Sequence, residues 1–123
     1  MSIIQAPVRP THELGGAQFT SLATPSRGST ETAVWQVEIQ PGTPATPHSL
    51  SREEVFVVLD GKASVRIAGT TGIATKGDAI VVPSDIEFEL ANGGDELLRL
   101  ICCFPVGGQA RVGDTMFTPP WAE

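Results

Sequence analysis

The chain has no tyrosine, two histidines, two cysteines and only eight lysines and arginines among its 123 residues. Each scarcity closes off a class of function. The eight cations, at positions 9, 27, 52, 62, 66, 76, 99 and 111, are scattered along the chain. With a net charge of −6 and no basic stripe to neutralise phosphates, nucleic acid is not an expected partner. No run approaches the roughly 20 apolar residues that cross a bilayer, and the opening "MSIIQAPVRP" lacks the charged and apolar blocks of a signal peptide. The sequence therefore reads as cytoplasmic, with no membrane partner. The two cysteines, Cys102 and Cys103, are adjacent in "ELLRLICCFP". A disulfide between neighbours would be strained and a zinc pair needs different spacing, so reduced thiols within a strand are expected. With only His12 and His48 available, no Ser-His-Asp triad is assignable, and no glycine-rich phosphate loop precedes a helix.

What is present is an ordinary globular composition, 41% hydrophobic and 18% charged, of a length suited to one domain with one core. Glycine and proline punctuate short apolar stretches every eight to twelve residues or so, and no long segment holds a helical period; this pattern signals an all-β sandwich or barrel. Strands are predicted near 17–22, 33–39, 54–59, 62–68, 79–82, 86–91, 96–104 and 109–112. Turn-rich segments such as "QPGTPATP", "LDGK", "GTTG" and "NGGDE" lie between them. Asp60-Gly61, flanked by β-formers, predicts a hairpin that makes strands 54–59 and 62–68 antiparallel neighbours. Every position from 55 to 59 is apolar, which predicts a central strand covered on both faces.

Two stretches carry a family resemblance. From Gly42 to Gly61 the chain resembles the first cupin motif: a glycine, five residues, H-x-H, a short spacer, a glutamate, six residues and a glycine. Gly42, His48, Glu54 and Gly61 fall at those spacings. "GDAIVVPSDIEFELAN" is similar to the second motif, with Gly77, Pro83 and Asn92 in place. The resemblance implies an all-β, cupin-type double-stranded β-helix, a jelly-roll barrel with its functional pocket at one end. One domain is expected over 1–123, with an N-terminal arm at about 1–22, the barrel at about 30–112 and a C-terminal tail at 113–123. In metal-binding cupins the ligands are the two histidines and the glutamate of the first motif and a histidine of the second. Here Leu50 stands at the second histidine position and Phe88 at the last, while Asp85 replaces a glycine. Leu and Phe donate nothing to a metal, and His48 with Glu54 alone would hold one weakly. No metal and no cofactor are therefore expected, although Cys102, Gln36 or water are conceivable substitute donors.

What remains is a polar pair in an apolar cup. With Glu54 facing inward, the strand period places Phe56 and Val58 inside and Val55, Val57 and Leu59 outside. Phe88 facing inward takes Ile86 and Leu90 with it, and Trp35 leads the apolar face of "VWQVEIQ". The expected pocket is thus Trp35, Leu50, Phe56, Val58, Ile86, Phe88 and Leu90, with His48 and Glu54 as catalytic candidates. That pair reads either as a general acid and base or as a leftover ion pair supporting its loop; Leu50 and Phe88 read either as core filling or as pocket walls. Trp121, after Pro119-Pro120, is expected to pack on the barrel. The outward row Val55, Val57 and Leu59, with segment 11–22 available for exchange, predicts a homodimer. Two functions follow. One is a metal-independent acid/base enzyme of isomerase, cyclase, lyase or dehydratase type acting on a small, partly apolar organic molecule. The other is a non-catalytic cupin that binds such a molecule as sensor or carrier. A metal-dependent, dioxygenase-like cupin is the third possibility.

Overall fold

A computed structural model describes residues 2–123. Among them there is no α-helix, only twelve strands and two short 3-10 turns, at Pro25–Arg27 and Pro120–Ala122. The strands are β1 (His12–Leu14), β2 (Ala17–Ala23), β3 (Thr32–Ile39), β4 (Ser49–Leu50), β5 (Glu54–Asp60) and β6 (Ala63–Ile67), followed by β7 (Thr70–Ala74), β8 (Ala79–Val82), β9 (Phe88–Asn92), β10 (Leu98–Pro105), β11 (Ala110–Val112) and β12 (Thr115–Phe117). A six-stranded sheet runs β1-β2-β3-β10-β5-β8, and two three-stranded sheets run β12-β11-β4 and β7-β6-β9. An antiparallel bridge between His48 and Phe88 joins the two smaller sheets. The result is the jelly-roll barrel implied by the motifs.

Alternation along the strands decides what lies inside. In β10 the pattern is strict, with Leu98, Leu100, Cys102 and Phe104 buried and the residues between them half-buried. In β3 the apolar set Ala33, Trp35 and Val37 is buried. β5 buries Glu54, Phe56 and Val58 and lies between β10 and β8, so the strand is interior in its sheet as expected. Its outer face departs from expectation: Val55, Val57 and Leu59 are only half-buried, so a run of apolar residues here does not mean cover on both faces.

The Asp60-Gly61 hairpin does not form. β5 pairs with β10 and β8, whereas β6 pairs with β7 and β9, so this dipeptide is a corner passing from one sheet to the facing one. Gly61 has φ +85°, and a Cβ there would stand 2.6 Å from the Leu97 carbonyl oxygen. Glycine is required by a close backbone approach as well as by the turn. The tight hairpin falls one strand later, where Ala68 and Gly69, both at positive φ, connect Ile67 to its partner Thr70 in the manner of a two-residue primed turn.

Candidate active site

The inward faces of the three sheets leave a cavity of about 250 Å³ at the end of the barrel where the two motifs meet. Trp35, Leu50, Phe56, Phe88 and Leu90 line it, together with His48 and Glu54. Two expected pocket residues lie elsewhere. Val58 is inward but sealed in the core beyond the cavity, 1% exposed. Ile86 precedes the start of β9 and flanks a separate surface hollow, because the strand period does not extend back through the turn at residues 84–85.

Glu54 opens β5, opposite Val82 of β8. It is 5% exposed, and its carboxyl forms no ion pair and no hydrogen bond among the described residues. Burial pushes its pKa up from 4.5 to about 8, because charging a carboxyl is penalised where water is excluded. At neutral pH it is a carboxylic acid, able to donate. No imidazolium offsets this rise: the ion pairs of the described residues are Arg66–Glu89, Arg99–Glu38 and Arg99–Asp60, so the leftover His48–Glu54 ion pair is not formed.

His48 is held by backbone and ring together. Its N–H donates to the Phe88 carbonyl at 3.1 Å and its own carbonyl accepts from Phe88 N–H at 2.8 Å, which sets the two side chains against each other with ring centres 4.3 Å apart. His48 Nδ1 lies 2.8 Å from the Thr46 carbonyl oxygen. A carbonyl only accepts, so the neutral ring carries its proton on Nδ1 and leaves Nε2 with a lone pair.

Leu50 is positioned by the pairing of β4 with β11, opposite Ala110. Its carbonyl accepts from Asp85 N–H at 2.7 Å. Asp85, where the motif has glycine, sits at φ +63°, a conformation that aspartate tolerates better than most residues. Asn92, which matches the second motif, is a turn organiser: Nδ2 donates to the Ile39 and Glu96 carbonyls, and Oδ1 accepts from Gly94 N–H.

The sequence reading missed several walls. Cys102, between Trp35 of β3 and Phe56 of β5 in register, lines the cavity; it and Cys103 are free thiols. Burial, the Glu54 charge and Cys103 push the Cys102 thiol up, and burial followed by Glu54 does the same to Cys103. Phe19, Phe117, Pro119 and Trp121 complete the outer wall. Trp121 stacks on Phe19 at 3.7 Å, nearly parallel, and Ser21 Oγ donates to its carbonyl at 2.7 Å. The tail thus packs on the barrel as expected and also walls the cavity, for which the only signal was the aromatic after two prolines.

Among the described residues no three His, Cys, Asp or Glu side chains gather around one point. The family profile described as cupin domain matches residues 35–104, more than half of the chain and spanning both motifs. The chain belongs to the cupin family. Solved structures similar to this cupin include the cupin domain of Schizosaccharomyces pombe Cnp3, 26% identical, with a TM-score of 0.63 over 73% of this chain and 64% of that one. An RmlC-like cupin from Shewanella frigidimarina is 20% identical, with a TM-score of 0.67 over 82% and 84%. The polyketide cyclase RemF from Streptomyces resistomycificus is 19% identical, with a TM-score of 0.73 over 94% and 84%. A comparison with curated proteins finds no match. No helix of the described residues is long and apolar enough to cross a membrane.

Proposed function

We propose that this cupin is a metal-independent enzyme that moves a proton on a small, partly apolar organic molecule, with Glu54 as general acid and His48 as general base. The observation that carries the reading is Glu54, 5% exposed and without a hydrogen-bond partner for its carboxyl among the described residues, in the same apolar cavity as an imidazole whose Nδ1 is engaged and whose Nε2 is free. A resident transition metal does not fit the donor set. Leu50 and Phe88 occupy cavity wall without a donor atom, no third ligand joins His48 and Glu54, and a coordinating carboxyl must first give up its proton.

For isomerases, cyclases, lyases and dehydratases that act on carbonyl compounds, one opening step is removal of a proton beside the carbonyl. In this site the Glu54 O–H donates to the carbonyl oxygen while Nε2 of His48 takes the α-proton. The C–H electron pair becomes the enol double bond, leaving a carboxylate and an imidazolium; the imidazolium then delivers its proton to a carbon of the enol while the carboxylate takes the enol proton back. The absence of a His48–Glu54 ion pair or hydrogen bond suits this division, since an acid and base already paired with each other are not free for a ligand.

Proton exchange between the α-carbons of 2-butanone and heavy water, followed by NMR, tests the reading without knowledge of the natural substrate. The protein should accelerate exchange, and His48→Ala and Glu54→Gln should each lower the rate about 100-fold or more with the fold intact. Acceleration equal to that of buffer alone would leave the cavity as a binding site and the protein as a carrier or sensor.

A further inference from the structure

We infer that the ligand of this cavity is an uncharged carbonyl compound built on one or two rings, held through its oxygen by Glu54. The inference rests on the cavity being a ligand site and does not depend on turnover. Size sets the first bound: an apolar cavity of about 150 Å³ takes up benzene, so about 250 Å³ accommodates one ring or two small fused ones. The shape of the walls sets the second. Aromatic side chains bound the space: Trp35 and Phe56, Phe88 beside His48, and the stacked Phe19–Trp121 pair. Flat, offset ring contacts are what such surfaces favour.

Charge decides between the possible polar groups on such a ring. No lysine or arginine is among the lining residues. A carboxylate or phosphate on the ligand would be stripped of water with no lysine or arginine to receive it. A neutral oxygen acceptor has the opposite effect, because it satisfies the Glu54 hydroxyl, which has no other acceptor among the described residues. His48 and Cys102 are the other titratable groups lining the cavity. The walls therefore select for the ring and the carboxylic acid selects for the carbonyl.

Four naphthalene probes of similar shape separate the possibilities by calorimetric titration of the full chain at pH 7: 2-acetylnaphthalene, 2-naphthoate, 2-naphthylmethylammonium and naphthalene itself. Tryptophan emission gives a direct check, because Trp35 and Trp121 are the only two tryptophans of the chain and both line the cavity. The ketone should bind at least tenfold more tightly than either ion and about fivefold or more above naphthalene. Glu54→Ala should erase the ketone's advantage over naphthalene, while Glu54→Gln, whose amide still donates, should keep it. Naphthoate or the ammonium binding as tightly as the ketone overturns the inference, and so does a ketone no better than naphthalene or a failure of all four to bind. Ketone selectivity without α-proton exchange removes the catalytic reading alone; exchange of butanone without ketone selectivity removes the ligand class alone.

Discussion

Replacing Glu54 with glutamine isolates the cost of burying a carboxyl in an apolar cavity, and the sign of the effect follows from the direction of its pKa. The folded-state value is raised from 4.5 to about 8 by burial. Below pH 4.5 the group is protonated folded or unfolded, and the full stability is present. Between 4.5 and 8 the unfolded chain ionises while the folded chain keeps its proton, so each pH unit removes about 1.4 kcal/mol. Above 8 both forms are ionised and the loss is complete, at about 5 kcal/mol across the window. Water entering through the outer wall on ionisation would reduce that figure, but even half of it is a large share of the roughly 5–15 kcal/mol that holds a domain together. Glu54→Gln carries no titration. Urea unfolding of both proteins at pH 5, 6, 7, 8 and 9 should therefore show the variant gaining on the parent steadily up to about pH 8 and by a constant amount beyond. Parallel stability curves over this range would refute a carboxyl held protonated by its surroundings.

Two further predictions concern the ligand positions and the outer surface. Leu50→His combined with Phe88→His should gather three imidazoles and a carboxylate, lowering metal-free stability by about 2–4 kcal/mol through lost packing and imperfectly paired nitrogens. Nickel should then raise the melting temperature of the double variant and not that of the parent; a folded variant indifferent to nickel would show that the four positions do not converge. The homodimer expected from the sequence has a suitable surface where Val55 lies opposite Val81 and Cys103, and Val57 opposite Ala79 and Ile101, on the outer face of the large sheet. A second copy covering this patch predicts a dimer mass by light scattering that Val81→Lys, at a position 52% exposed, converts to monomer without unfolding. A monomeric parent would reject it.

The barrel was legible because its signals are local and repeated. Period-two patterning and turn residues located β5 and β9 within a few residues, and β8 at its observed bounds. What escaped was decided by partners remote in sequence. β1 and β12 are short and exposed, and β4 has two residues, so none has an apolar period of its own. β7, "TTGIA", is a strand because it answers β6 across the Ala68-Gly69 turn, whereas its threonines and glycine alone read as a loop. The Asp60-Gly61 corner shows the same limit: the dipeptide announces a turn, and only the positions of Leu97 and β10 decide where the chain goes next. At the site, spacing located His48 and Glu54, but the outer wall comes from segments 14–19 and 112–121, which no motif ties to the cavity.

The chemistry proposed for Glu54 is a consequence of its neighbours rather than of the residue. A glutamate at the mouth of a strand, beside imidazoles and a cation, is a carboxylate and an acceptor. In this chain Leu50 and Phe88, both 2% exposed, line the same cavity, and His48, which also lines it, forms no ion pair with Glu54. A carboxyl in that setting has only two ways to lower its energy, drawing in a counter-charge or keeping its proton. The wall supplies no lysine or arginine, so it keeps the proton, and the side chain that would accept becomes one that donates. With Leu50 and Phe88 in its wall, the cavity holds this neutral acid in an apolar cup, with the free Nε2 of His48 in the same cavity as its complement.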